Sequence, residues 1–148
     1  MTLNNASLHF VIIDTILRRG FAPRVDELAT RFGVDDSRMR TALHALQEYH
    51  GVVLHPHNDE IWVAHPFSTV PTGFLVSSGE TEWWGNCAWC SLGLAALVES
   101  PVTIRTAPGF DRPTVEIEII DGELQSDDYV IHFPTPMREA WDLSLIHI

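Results

Sequence analysis

From Cys87 to Val98 the chain is almost entirely apolar, with Leu92 and then, after Gly93, Leu94, Ala95, Ala96, Leu97 and Val98 in an unbroken sweep. A run of this length fits one short buried helix and is too short to span a membrane. Pro101 stops it. A helix apolar on every side needs other elements around it, so the rest of the fold is constrained to cover this one. The approach to the run, Trp83-Trp84-Gly85-Asn86-Cys87-Ala88-Trp89-Cys90, holds three of the five tryptophans and both cysteines. Asn86 is the expected N-cap, because its side-chain oxygen can accept an orphan backbone N–H of the first turn. Cys87 and Cys90 stand three apart and so share a face of that turn. The partial positive charge of a helix N-terminus favours thiolate over thiol.

Composition narrows the compartment and the partners. The 148 residues suffice for one compact domain or two small ones sharing a core. Net charge is −11, and all nine basic residues are arginine. The acidity belongs to the C-terminal part, since the first 50 residues balance six arginines with six acids. An acidic surface disfavours nonspecific nucleic-acid binding. The sequence shows no signal peptide and no long apolar segment, so neither a membrane nor secretion is expected. The expected compartment is the cytoplasm, where paired thiols are usually reduced. A Cys-x-x-Cys there reads as catalytic, redox-active or metal-binding before it reads as a structural staple.

Two units are expected, residues 1–65 and 66–148. In the first, apolar spacing predicts a helix from Ser7 to Arg19, a second from Arg24 to Phe32 and a third capped by Asp35 or Asp36 and reaching Tyr49. Two short strands, Val52 to Leu54 and Ile61 to Ala64, close a hairpin around His55-Pro56-His57-Asn58-Asp59. This is the winged-helix pattern, with Arg38 and Arg40 on the helix that would read DNA. The third helix has few bases and the wing carries Asp59 and Glu60, so a packing module without specific DNA binding is the expectation. His55, His57 and Asp59 read as a polar turn rather than a metal site.

In the second unit, His65 to Thr72 is a proline-punctuated connector, with His65 ordering it. Phe74 to Val76 is a strand, and Gly79 to Glu82 turns back toward the tryptophans. After the cysteine helix, strands are predicted over Val102 to Thr106, Thr114 to Ile120 and Tyr129 to Phe133, the last carrying a structural His132. A short helix is predicted from Met137 to Trp141. The fold class is therefore α+β: a winged-helix-like three-helix unit, then a small mixed sheet bearing a buried cysteine helix.

The runs His65-Pro66-Phe67-Ser68, Val70-Pro71-Thr72, Trp83 to Trp89, Leu92-Gly93 and Ala96-Leu97 resemble the organomercurial (alkylmercury) lyases. The resemblance implies a similar architecture and protonolysis of a carbon–mercury bond, releasing a hydrocarbon and Hg(II), with no organic cofactor. It implies that Cys87 attacks mercury. It also implies an acid three positions later, where this chain has Cys90, and a second cysteine further on, which this sequence lacks. The tail Asp142 to Ile148 resembles translated sequencing-adapter DNA, and the expectation is a gene fragment lacking its native C-terminal segment.

Thiolate is the preferred ligand of a soft ion such as mercury. Cys87 and Cys90 are thus the candidate catalytic and mercury-ligating residues. Trp83, Trp84 and Trp89 are either the walls of a pocket for the organic group or members of the core. The expected partner is a small-molecule organomercurial; oligomeric state is not readable. Two rivals stand beside this reading: a thiol-based soft-metal binding protein without lyase activity, and a winged-helix regulator that senses metal through the same cysteines.

Overall fold

A computed structural model describes residues 1–98, 100–109, 111–125, 128–133 and 136. Three helices come first: α1 (Asn5–Arg19), α2 (Val25–Phe32) and α3 (Asp36–Glu48). Asn4 caps α1 by accepting the Ser7 backbone N–H, and Asp35 caps α3 by accepting that of Arg38. These caps satisfy N–H groups that the first turn leaves without helical partners. α1 and α2 end on Gly20 and Gly33, both at left-handed φ, the C-terminal conformation glycine adopts without a Cβ clash. Their inward residues, including Leu8, Ile12, Leu28, Met39 and Leu43, are almost wholly buried.

The strands β1 (Val53–Leu54), β2 (Ile61–Ala64), β3 (Phe67–Ser68), β4 (Phe74–Ser78), β5 (Thr81–Gly85), β6 (Val102–Thr106), β7 (Val115–Ile120) and β8 (Glu123–Leu124) form one sheet, with α4 (Ala88–Leu97) between β5 and β6. The order is β1-β2-β3-β5-β4-β6-β7-β8, so the sheet passes without a break from the hairpin after α3 into the cysteine-bearing half. Every described pairing is antiparallel, which corrects the mixed sheet expected. The reason lies in the crossover. β5 and β6 run the same way, but β4 is inserted between them and pairs with both.

The pleat gives the sheet two unlike faces. Val76, Trp83 and Ile104 sit on the buried face, which receives α1 and α4. Leu75, Trp84, Arg105 and Glu116 alternate onto the other face, where Arg105 and Glu116 pair across β6 and β7.

Three further expectations change. α4 is buried on one side only: Leu94 and Ser91 are enclosed, whereas Trp89 is 57% and Leu97 43% exposed. Tyr129 to Phe133 is not a strand, because the Asp121-Gly122 turn gives β7 the two-residue partner β8 instead. Extra strands appear at β3 and β5, where a connector and a turn were expected. The helix predicted from Met137 to Trp141 and the tail after it lie outside the described residues. No helix among the described residues is long and apolar enough to cross a membrane.

Candidate active site

The site is built by the end of β5 meeting the start of α4. Gly85 makes that meeting possible, since a Cβ there would lie 2.3 Å from Ser91 Oγ and 3.2 Å from Ser91 Cβ. Ser91 is fully buried and hydrogen-bonds the Cys87 carbonyl through both its N–H and its Oγ, each at 2.9 Å. The first turn of α4 is thereby seated on β5, and Cys87 is held at its head.

Cys87 itself, not Asn86, is the N-cap. Its backbone is extended at φ −155° and ψ 178°, and its Sγ accepts the Cys90 backbone N–H at 3.4 Å. Asn86 is drawn away because its own N–H donates to the Pro66 carbonyl at 3.0 Å. The consequence is chemical: the sulfur, rather than an amide oxygen, takes the orphan donor and feels the helix terminus directly.

The two sulfurs lie 3.2 Å apart, and both residues are partly buried. One proton serves the pair. It rests on Cys90, and Cys87 also receives backbone N–H groups from Cys90 and Trp89. The Cys90 thiol donating to it, and then those backbone donors, outweigh burial and lower the Cys87 pKa to about 6. The same bond to Cys87, together with burial and the negative charge on Cys87, pushes the Cys90 thiol up. At neutral pH the arrangement is one thiolate beside one thiol.

A third group approaches from the connector. His65 Nδ1 lies 3.7 Å from Cys90 Sγ. Burial, and then the nearby charge of His9, hold the His65 imidazole below its ordinary range, so it is a neutral ring that can accept or return a proton. Burial also lowers His9, whose Nε2 has no hydrogen-bond partner among the described residues. Sequence reading gave His65 only an ordering role. Its contact with Cys90 spans 25 positions, and no local pattern announces it.

The tryptophans are dispersed. Trp83 is 5% exposed and donates its ring N–H to the Ile16 carbonyl of α1. Trp84 faces the opposite side of the sheet, and Trp89 stands on the open side of α4, edge-on to Phe133. A cavity of about 340 Å³ does lie beside α4, between Ala88, Leu92, Ile104, Ile117 and the segment carrying Tyr129 and His132. Neither the tryptophans nor the cysteines line it.

The other candidates are held by hydrogen bonds within the fold. Arg40 bonds Asp59 and the Asn58 carbonyl, and His44 bonds the other oxygen of Asp59, which ties the hairpin turn to α3. His55 accepts the His57 backbone N–H and packs its ring edge-on against Trp62. No group of three or more His, Cys, Asp or Glu converges as a metal site among the described residues.

Comparison with known proteins bears on this site. The family model described as MerB, alkylmercury lyase, matches residues 67–146, a span that includes β5, both cysteines and α4. A solved structure, the mercury-bound form of MerB2, superposes with a TM-score of 0.63 at 20% sequence identity, covering 80% of this chain and 58% of that one. This chain thus spans less than two thirds of that protein. A search of curated proteins finds no match.

Proposed function

Because the chain belongs to the alkylmercury lyase family, we propose that it acts on organomercurials by protonolysis of the carbon–mercury bond, with Cys87 as the attacking thiolate. The observation that carries this reading is the pair of sulfurs 3.2 Å apart at the head of α4, one poised as thiolate and one as thiol. The Cys87 thiolate bonds to mercury and displaces its exchangeable ligand. The proton needed at carbon comes from Cys90, whose sulfur then takes the second position on mercury as the hydrocarbon leaves. His65 Nδ1, 3.7 Å from Cys90 Sγ, orients the Cys90 thiol and relays a proton from solvent back to it once mercury has left. No organic cofactor enters the step. A cytoplasmic setting suits it, since both thiols must be reduced.

Where the family resemblance calls for a carboxylic acid, this chain offers a thiol pushed up in pKa, which is a reluctant proton donor. Turnover is therefore slow. The same observation favours a second reading, in which mercury is bound by both sulfurs and never released from carbon. Phenylmercury separates the two: benzene measured in the headspace, alongside protein-bound mercury, reports cleavage and binding independently. Benzene formation that is lost in Cys87→Ser supports the lyase reading. Mercury bound at full occupancy with no benzene overturns it in favour of the binding protein.

A further inference from the structure

We propose that Cys87 and Cys90 also form a redox-active dithiol that reduces small-molecule disulfides by thiol–disulfide exchange. The geometry points there without any reference to mercury. The sulfurs are already 3.2 Å apart, and a disulfide needs them at about 2.05 Å. Cys87 is outside the helix proper, in extended backbone, so its side chain swings without colliding with a preceding helical turn. Cys90 is one turn in, behind Cys87, where it can act second. Both thiols keep some exposure, so a small reagent can reach them. A carboxylate at position 90 would lack this chemistry; the second thiol is what adds it.

The exchange balances as follows. The Cys87 thiolate attacks one sulfur of a disulfide RSSR, forming a mixed disulfide with one R–S group and expelling the other as thiolate, which takes a proton from water. Cys90 then attacks Cys87 Sγ, its proton passes to the second departing thiolate, and the Cys87–Cys90 bond closes. The protein dithiol loses two electrons and RSSR gains them. A low-molecular-weight thiol or dithiol returns the protein to its reduced form.

Glutathione disulfide is the probe, applied to the chain as it stands. Wild type should release about two glutathione thiols per chain, against about one from Cys90→Ser, a difference of about twofold. Acid quenching, alkylation and peptide mapping should find Cys87 linked to Cys90 in wild type, a stable glutathione adduct on Cys87 in Cys90→Ser or Cys90→Ala, and no adduct at position 87 in Cys87→Ser. Wild type that keeps glutathione on either cysteine, links chain to chain, or does not react overturns the proposal. Benzene release from phenylmercury, measured on the same preparations, reports the lyase reading separately, so either can fail while the other stands.

Discussion

The indole N–H of Trp83 in β5 donates a 3.1 Å hydrogen bond to the carbonyl of Ile16 in α1, joining residues 67 positions apart. That carbonyl already accepts the Gly20 N–H that closes the helix. Trp83→Phe removes the donor and part of the buried ring, so it should cost at least about 1–2 kcal/mol. Urea unfolding followed by circular dichroism measures it. An unchanged midpoint would mean that the bond is not a fastening between helices and sheet.

Alkylation should divide the two thiols by pH. With its pKa lowered to about 6, Cys87 should react with iodoacetamide at a rate that rises through that pH and levels off above it, while Cys90 stays slow. Cys90→Ala removes the largest cause of the lowering and should move the inflection toward the ordinary thiol range. Mass mapping of labelled peptides decides it; faster labelling of Cys90 would reverse the assigned roles.

The same shift makes stability depend on pH. A thiol with a lowered pKa in the fold binds fewer protons there than in the unfolded chain, so Cys87 adds stability as pH climbs from about 6 toward 9. Cys90, pushed up, opposes it only once the unfolded thiol begins to ionise. Thermal melts of wild type and Cys87→Ser across that window should diverge, with wild type gaining relative to the variant as pH rises.

Gly85→Ala should damage the site without touching a cysteine. Its methyl group would meet the Ser91 side chain at 2.3 Å and the Ser91 Cα at 3.3 Å, and α4 must shift to admit it. Overpacking of this kind costs about 1–3 kcal/mol, and the displaced first turn should slow Cys87 alkylation. Adding Ser91→Gly should recover part of both losses. Recovery of neither would mean that the close approach of β5 and α4 does not place the thiolate.

The hairpin turn beside α3 should not confer sequence-specific DNA binding, because Arg40 is occupied by Asp59 and the Asn58 carbonyl. Selection from random duplexes at physiological salt should return no consensus. Asp59→Ala, which breaks a partly exposed cluster, should cost about 1 kcal/mol. A recovered palindrome would turn the reading toward a regulator.

Much of the helical part is legible in sequence. α1, α2 and α3 lie within two residues of where apolar spacing and caps put them, because helix periodicity is a local property. The edges of the site are less so. β3 has only two residues and β5 carries adjacent apolar residues in Trp83 and Trp84, so neither shows an alternating pattern strong enough to announce a strand. Asn86 looks like the cap until its N–H is claimed by Pro66, a partner fixed by the turn between β2 and β3. The Cys-x-x-Cys is plain in the sequence, but its neighbour His65 becomes visible only when that turn is folded.

α1 supplies both the carbonyl that holds Trp83 and the imidazole of His9 whose charge bears on His65. The helical half and the thiol-bearing half are therefore a poor place for recombination. A breakpoint between α3 and β3 would deliver a sheet with an unpaired edge, an indole without its acceptor and a histidine in altered company. Exchanging the helices for a different module would therefore require these contacts to be rebuilt together.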